Sequence, residues 1–388
     1  MADAGLATAR IPLSVPSITD HERGRIAECL QSGWVSTAGP QIGELEDQIA
    51  ALLGVEHAVA VVSGTAALHL ALLGVGTDAR SEVVLPSLTF VATANAVSYC
   101  GAIPVFADVR PASATLDAGG LERLVRSRYR REGSRLVEPR TGRRLAAVIA
   151  TDLYGHPADG DALRALTGEW GVALIEDAAE ALGASSRGIA AGALGDVGVL
   201  SFNGNKVITA GGGGMLVTSD AEIARHARHL STQARTHLIE YLHDVVGFNY
   251  RMPNLNAALA LAQLERLPEL VAARQANRSR YAERLGPCVM GEEPWARSSF
   301  WLTSLVLDRP RSRAELLEVV AACARDGVDV RPFFTPVHEL APYAGAPRAP
   351  LPVTCDLYAR GLNLPSSFGL SDADVDRVCH AVRRATGG

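Results

Sequence analysis

A regular alternation of short apolar runs with helical patterns is the feature that most restricts the fold of this 388-residue chain. The predicted strands are residues 58–62, 82–85, 103–107, 145–150, 172–175, 197–202 and 215–218. Helical patterns separate several of them, at 66–73, 91–100 and 159–170. Ahead of them, Thr19 and Glu22 have capping-box spacing and predict a helix start. Such alternation is typical of a mainly parallel sheet covered by helices, and hence of an α/β fold.

A long helical region from Leu255 to about Leu285, interrupted at Pro268, leads away from this sheet. After it, further strands and helices predict a second and smaller α/β unit. We therefore predict a large domain over residues 1–265, which begins with an N-terminal arm, and a small C-terminal domain over residues 266–388.

The charge balance and the cysteines restrict the possible partners and location. The formal net charge is -5 and the pI is near 6.1, so neither nucleic acid nor an anionic membrane is expected as a partner. The six cysteines are spread singly, which indicates free thiols in a reducing compartment and no metal site. The first 16 residues lack a basic region followed by a long apolar run, and a cytoplasmic location is expected.

Lys206 is the only lysine among 37 basic residues, and the other 36 are arginines. Arginine replaces lysine in most surface roles, but it cannot form a Schiff base, because guanidinium stays protonated while a desolvated amine can lose its proton. The alternative interpretation is codon bias with chance survival of one lysine. The residues around Lys206 therefore distinguish a Schiff-base lysine from a lysine that survived by chance.

Two segments before Lys206 point to a ligand. Residues 58–68 form a predicted strand, tight turn and helix start, so that the amides near Gly64 and Thr65 would lie at a helix N-terminus, which is an anion site. Alternatively, Thr65 is only an ordinary N-cap. A second apolar strand ends at Asp177, at the edge where open α/β sheets bind ligands.

Lys206 follows a strand end and is followed by four glycines, Gly211 to Gly214, and another strand. These glycines are not a dinucleotide fingerprint, because no GxGxxG is present and no helix follows. Phe90 precedes a helix start and could either stack on a flat ring or fill the core. An anion site, an aromatic ring, a strand-end carboxylate and a lysine, in this order along the chain, fit one cofactor, pyridoxal phosphate (PLP).

The chain resembles the DegT/DnrJ/EryC1/StrS family of sugar aminotransferases over nearly its whole length. The segments that carry the resemblance are Gly39-Pro40, Ser63-Gly-Thr-Ala-Ala-Leu68, Pro86-Ser-Leu-Thr-Phe-Val-Ala-Thr-Ala-Asn95, Tyr154-Gly155, Glu176-Asp-Ala-Ala179, Ser201-Phe202 with Lys206, Asn249-Tyr-Arg251 and Pro336-Val-His338. Within the family it is most similar to the LegC-like branch, through 201–206, 211–215 and 154–159. The resemblance implies PLP-dependent fold type I, the aspartate-aminotransferase-like fold, with a large three-layer α/β/α domain and a smaller C-terminal α/β domain.

The resemblance also implies a role for each matching residue. Lys206 would hold PLP as a Schiff base and move the proton, Asp177 would pair with the pyridinium, and Phe90 would stack on the ring. The residues that would hold the phosphate are Gly64, Thr65 and Ser201. Asn249 would complete the phosphate site from the partner subunit of a homodimer with shared active sites. His338 would lie near the substrate, although a structural hydrogen-bonding role is an equal alternative.

Three positions depart from the family pattern. Glu180 is expected near the ring oxygen of the cofactor, where many relatives carry Gln, and a carboxylate beside a phenolate needs a proton or a nearby donor. Asp152 stands where His is expected. Many relatives have Gly-Glu-Gly-Gly in place of residues 211–214. The arginine-rich segment 121–144 is most simply a solvated face, and a contact with an anionic substrate is the alternative.

We expect transfer of an amino group from glutamate or glutamine, through pyridoxamine phosphate, to a nucleotide-linked keto sugar. The expected acceptor is a UDP-4-keto-6-deoxy-N-acetylhexosamine, which would give the 4-amino sugar. Alternatives are the same chemistry on a free keto sugar or a ketocyclitol, and a non-catalytic PLP-binding regulatory protein. A PLP-dependent sugar dehydratase is disfavoured, because relatives of that kind carry histidine in place of the lysine.

Overall fold

The computed structural model describes residues 10–237 and 239–387. Residues 1–9 of the predicted N-terminal arm lie outside this range. The helices are α1 (Asp20–Ser32), α2 (Pro40–Leu53), α3 (Gly64–Gly74), α4 (Ala92–Tyr99), α5 (Ala118–Arg128), α6 (Gly160–Trp170), α7 (Ala221–Ser231), α8 (Asn254–Glu265), α9 (Leu267–Leu285), α10 (Arg313–Arg325), α11 (Pro352–Arg360) and α12 (Asp372–Thr386). None of the helices in the described ranges is long and apolar enough to cross a membrane.

Fifteen strands are present in the described ranges. They are β1 (His57–Val61), β2 (Ser81–Pro86), β3 (Ile103–Ala107), β4 (Arg130–Glu132), β5 (Arg135–Val137), β6 (Arg144–Thr151), β7 (Ala173–Asp177), β8 (Ser185–Ser186), β9 (Ile189–Ala190), β10 (Val197–Ser201), β11 (Gly214–Thr218), β12 (Ala296–Arg297), β13 (Thr303–Val306), β14 (Arg331–Pro332) and β15 (Gly361–Leu364). All seven strands predicted for the large sheet are found.

The large sheet has the order β1-β11-β10-β7-β6-β2-β3, and β10, β7, β6, β2 and β3 run parallel to one another. Only β11 is antiparallel to its neighbours β1 and β10 along this path. The strands are almost entirely buried, as expected for a parallel sheet with helices on both faces. One apolar core joins α3, α4 and α7 to one face, and another includes residues of α2, α8 and α9.

The carboxyl ends of the parallel strands meet at one edge of this sheet. Pro86, Thr151, Asp177 and Ser201 are the last residues of β2, β6, β7 and β10. The arginine-rich segment lies at the opposite edge, because the β4–β5 hairpin leads into the first residue of β6. Within one chain, this hairpin is therefore far along the strands from the edge where ligands bind in open α/β sheets.

A smaller antiparallel sheet, β13-β15-β14, follows α9 and packs against α10 and α12. Ile11 is buried in the same core and forms a parallel bridge with Val328, so the N-terminal segment also docks on this unit. Pro268 lies in the first turn of α9, where no intrahelical donor is needed, and the predicted interruption is a break between two helices. The domain boundary at 265/266 coincides with this break and stays a prediction.

Candidate active site

A cavity of about 390 Å³ lies at the carboxyl edge of the large sheet. The predicted site residues that line it are Gly64, Thr65, Phe90, Asp177, Glu180, Ser201 and Lys206. Asn249 and His338 are not among its lining residues. Trp301 and Phe334, which sequence analysis did not single out, form part of the wall from the C-terminal third of the chain.

The N-terminus of α3 opens onto this cavity. Ser63 is the N-cap, and its Oγ accepts a hydrogen bond from the Ala66 amide at 3.1 Å. The alternative that Thr65 is the N-cap is therefore wrong, and Thr65 lies in the first turn of the helix. A Cβ on Gly64 would lie 3.1 Å from Ser201 Cβ, so glycine allows β10 to approach the helix start closely. Gly64 and Ser201 both line the cavity.

Asp177 is buried at the end of β7, with 5% of its surface exposed. Its Oδ2 accepts a hydrogen bond from Thr93 Oγ1 at 2.7 Å, and its Oδ1 accepts one from the Ala179 amide at 3.3 Å. Burial raises the pKa of the Asp177 carboxyl, while the Thr93 hydroxyl, the Ala179 amide and the charge of Lys206 oppose the rise. Thr93 belongs to the motif 86–95, but the sequence did not mark it as a partner of this carboxylate.

The Lys206 ammonium lies between an acid and an aromatic face. Its Nζ is 3.2 Å from Glu180 Oε1 and 3.9 Å from the centre of the Trp301 ring. Trp301 is itself fixed by a hydrogen bond from Nε1 to the Asn205 carbonyl oxygen at 2.6 Å. A cation above an indole face gains about 0.5–2 kcal/mol, depending on its desolvation. The lysine side chain is only 13% exposed.

Glu180 is held by a backbone contact as well as by the lysine. Its Oε2 accepts a hydrogen bond from the Tyr154 amide at 2.8 Å. Tyr154 has a φ of 56°, and this left-handed conformation is uncommon for a residue other than glycine. Burial raises the pKa of Glu180, and the Lys206 charge and the Tyr154 amide oppose this. The acid is therefore fixed beside the lysine amine.

Phe90 is 53% exposed and its side chain faces the cavity rather than the core. Its ring centre lies 5.5 Å from that of Phe334, at an interplanar angle of 59°. Phe334 is anchored in turn, because its amide donates to the Tyr154 hydroxyl at 3.0 Å. The interpretation of Phe90 as core filling is therefore not supported, and its ring is available to a ligand.

The remaining predicted residues lie outside the cavity wall. Asn249 is in the loop that leads to α8 and bridges to Thr232 through the backbone. Nδ1 of His338 lies 2.7 Å from Ser87 Oγ, which fits the structural alternative for this histidine. Asp152 is fully buried and its Oδ1 accepts from the Ala158 amide at 2.8 Å. The roles predicted for Asn249 and His338 stay predictions.

These residues fit PLP. A helix N-terminus with Ser201 beside it suits a phosphate, Asp177 suits a pyridinium nitrogen, and Lys206, the only lysine, offers an amine to an aldehyde. Gly214 supports the cradle, because a Cβ there would meet the Gly64 nitrogen at 2.4 Å. The fold and the site together define the class of PLP-dependent enzymes.

Comparison with known proteins gives the family. The DegT/DnrJ/EryC1/StrS aminotransferase family profile matches residues 16–383, and the chain therefore belongs to this family. It is 39% identical over 380 residues to a GDP-perosamine synthase of Caulobacter vibrioides, covering 96% of this chain and 97% of that protein. It is 37% identical over 377 residues to the putative PLP-dependent aminotransferase EpsN of Bacillus subtilis, covering 95% and 94%.

Solved structures agree with this assignment. The structure of DesI in the presence of its TDP-sugar product superposes with a TM-score of 0.84 at 33% identity, over 99% of this chain and 95% of that one. The predictions of the fold class, of the family, of PLP as the cofactor and of a sugar aminotransferase are confirmed. The narrower likeness to the LegC-like branch is not confirmed, and the curated relatives include several GDP-perosamine synthases.

Proposed function

We propose that this protein transfers an amino group from glutamate or glutamine to the 4-keto group of a nucleotide-linked 4-keto-6-deoxy sugar. The observation that carries the proposal is the single cavity in which the only lysine, a buried strand-end aspartate and a helix N-terminus face one another. The nucleotide carrier is supported by the names of the relatives, among them the GDP-perosamine synthases and DesI with its TDP-sugar product.

Each predicted residue would hold a different part of the cofactor. The N-terminus of α3 at Gly64 and Thr65, together with the Ser201 hydroxyl, would hold the phosphate. Asp177 would face the ring nitrogen, and Phe90 would cover one face of the ring. When bound, PLP supplies an electron sink that stabilises the carbanion left when a C–H bond breaks. No metal is needed for this chemistry.

The protein's own residues would control the protons and the charge. Lys206 would form the covalent bond to the cofactor and, once released, move a proton at its Nζ. The Asp177 carboxylate, kept in place by the Thr93 hydroxyl, would hold a proton on the ring nitrogen. Trp301 and Phe334 would narrow the entrance and exclude water from the lysine.

The carrier of the acceptor is the finer part of the proposal. The relatives named GDP-perosamine synthases favour a GDP-linked 4-keto-6-deoxy sugar as the acceptor. The other candidate acceptor is a UDP-4-keto-6-deoxy-N-acetylhexosamine. The two compounds differ in the base of the nucleotide and in the N-acetyl group of the sugar. Both are offered in the same assay, at matched concentrations, so that the selectivity is measured as a ratio of kcat/KM values.

The assay follows the two half-reactions by absorbance. PLP-loaded protein is treated with glutamate or glutamine, freed of donor, and then offered each keto sugar. Loss of the cofactor's visible band with donor and its return with one sugar supports both steps. Lys206→Ala should lose turnover by several orders of magnitude while still binding PLP non-covalently. Retained turnover in Lys206→Ala would exclude the proposal, and loss of the band without its return would exclude these sugars as acceptors.

We also propose the homodimer with Asn249 acting across the interface. The exposed apolar side chains near it, Ile239, Leu242, Val245 and Val246, are 53–86% exposed and suit a buried contact. Mixing Lys206→Ala subunits with Asn249→Ala subunits tests this arrangement. About half of the dimers are then mixed, and in each mixed dimer one of the two sites has both residues. The mixture should therefore regain up to about a quarter of the wild-type activity. No regain would place Asn249 in its own subunit's site or outside it.

A further inference from the structure

The Lys206 amine lies beside an acid and above an aromatic face. Its Nζ lies 3.2 Å from Glu180 Oε1 and 3.9 Å above the Trp301 ring, and both neighbours attract a cation. An ammonium has no lone pair, however, so it cannot attack an aldehyde carbon. The proton must leave Nζ before the covalent bond can form.

Among the described residues around this amine, Glu180 is the acid placed to receive the proton. Asp177 faces the same cavity, but its two oxygens are occupied by Thr93 Oγ1 and the Ala179 amide. The Tyr154 hydroxyl, the other titratable group near Glu180, has its pKa raised by burial and stays neutral. Glu180 Oε2 takes the Tyr154 amide, while Oε1 faces Nζ directly.

A protonated Glu180 would also remove an electrostatic conflict. By family resemblance this residue lies near the ring oxygen of the cofactor, which is a phenolate, and two negative oxygens at hydrogen-bond distance repel each other. A carboxylic acid in the same position donates a hydrogen bond instead. The proton that Lys206 has to lose is therefore the proton that Glu180 needs.

We propose that Glu180 accepts the Nζ proton of Lys206 as the cofactor enters and keeps it as a hydrogen-bond donor to the ring oxygen. This inference rests on the proposed function of the site. The ammonium and carboxylate become an amine and a carboxylic acid, so the charge of the pair remains zero. The neutral amine could then bond to the aldehyde carbon, and its two hydrogens would leave with the aldehyde oxygen as water.

Burial makes this transfer feasible within the protein. Glu180 is 5% exposed and Lys206 13%, and a cofactor in the cavity would displace the water that solvates both. Removing water is costly for each ion, whereas the neutral pair loses far less solvation. Burial raises the pKa of Glu180, and the nearby charge of Asp177 raises it further, while Lys206 and the Tyr154 amide lower it. The direction of the net shift agrees with a proton held on this acid.

The test measures covalent attachment of PLP as a function of pH, without turnover. Cofactor-free wild type and Glu180→Gln are mixed with PLP between about pH 6 and 8.5, and attachment is followed by absorbance. Borohydride trapping and peptide mass analysis confirm Lys206 as the attachment point. Glutamine is nearly isosteric and its amide can still donate to the ring oxygen, so only the proton acceptor is removed.

In the Glu180→Gln variant, Lys206 must lose its proton to solvent. The ratio of the variant's PLP attachment rate to the wild-type rate should therefore rise about tenfold for each pH unit, as long as the amine is mostly protonated. For Glu180→Asp the same ratio should depend less on pH, because this variant keeps a carboxylate. Glu339→Gln is the matched control, because Glu339 does not line the cavity, and its ratio to wild type should not change with pH.

The outcomes separate this inference from the function on which it rests. If wild type does not attach PLP at Lys206, the cofactor assignment itself fails. If wild type attaches PLP and Glu180→Gln follows the same pH dependence, the proton transfer is refuted while the aminotransferase proposal stands. Non-covalent binding of PLP to Lys206→Ala and to the double variant with Glu180→Gln shows whether the second substitution leaves the cavity intact.

Discussion

The glycine run after Lys206 offers the sharpest test of the cofactor cradle, because two of its members meet opposite surroundings. Gly214 begins β11 and lies against the turn at Ser63 and Gly64. A Cβ at Gly214 would stand 2.4 Å from both the Gly64 nitrogen and the Ser63 carbonyl carbon. A Cβ at Gly212 would meet no atom within 4 Å. Alanine should therefore be harmful at one position and tolerated at the other.

The size of the effect follows from the displacement. An ordinary contact for a Cβ is at least 3.4 Å, so the turn must move by about 1 Å, and overpacking of this kind costs about 1–3 kcal/mol. The atoms that must move belong to the helix start that would hold the phosphate. Gly214→Ala should therefore weaken PLP binding by about tenfold to a hundredfold, because 1.4 kcal/mol corresponds to a factor of ten.

The assay is the dissociation constant of PLP, measured by titration of cofactor-free protein, with denaturant unfolding of the same samples. Gly212 lines the cavity itself, so Gly212→Ala serves as the control for folding only, and it should stay within about 0.5 kcal/mol of wild type in unfolding free energy. Equal effects of the two substitutions on the unfolding free energy, or unchanged PLP affinity in Gly214→Ala, would refute the close contact between β11 and the start of α3.

Three further predictions concern single contacts. Thr93→Val should slow the half-reaction with the amino donor by about tenfold, because the Asp177 carboxylate loses the hydrogen bond from the Thr93 hydroxyl and its pKa rises further. An unchanged rate would contradict this. Trp301→Leu should speed the loss of cofactor and, by removing a cation–π contact, lower the free energy of unfolding by about 1 kcal/mol relative to wild type in a denaturant titration. For Glu22, burial raises the pKa, but hydrogen bonds, that of the Thr19 hydroxyl first, lower it from 4.5 to about 2. The stability it contributes is present above pH 4.5 and lost as the pH falls toward 2, so Glu22→Gln should flatten acid unfolding in that window.

Local sequence signals identified the elements and the main reacting groups. The capping box of Thr19 and Glu22 is present at the start of α1, and each apolar run predicted for the large sheet forms a strand. Asp177 ends β7 and Lys206 follows β10, as the strand ends predicted. These features are encoded within a few residues, by apolar periodicity, by caps and by the one lysine in the chain.

The contacts that give these groups their environment depend on distant parts of the chain. Trp301 follows its partner residue Asn205 by 96 positions, yet it supplies the aromatic face beneath Lys206. Position 214 has room only for glycine, because the backbone of Ser63 and Gly64, about 150 residues earlier in the chain, packs directly against it. Only the packing of helices and strands against one another decides which side chains share a cavity. For that reason the sequence by itself determined the secondary structure and the reactive lysine, whereas the tertiary structure decided which acid and which aromatic ring stand beside it.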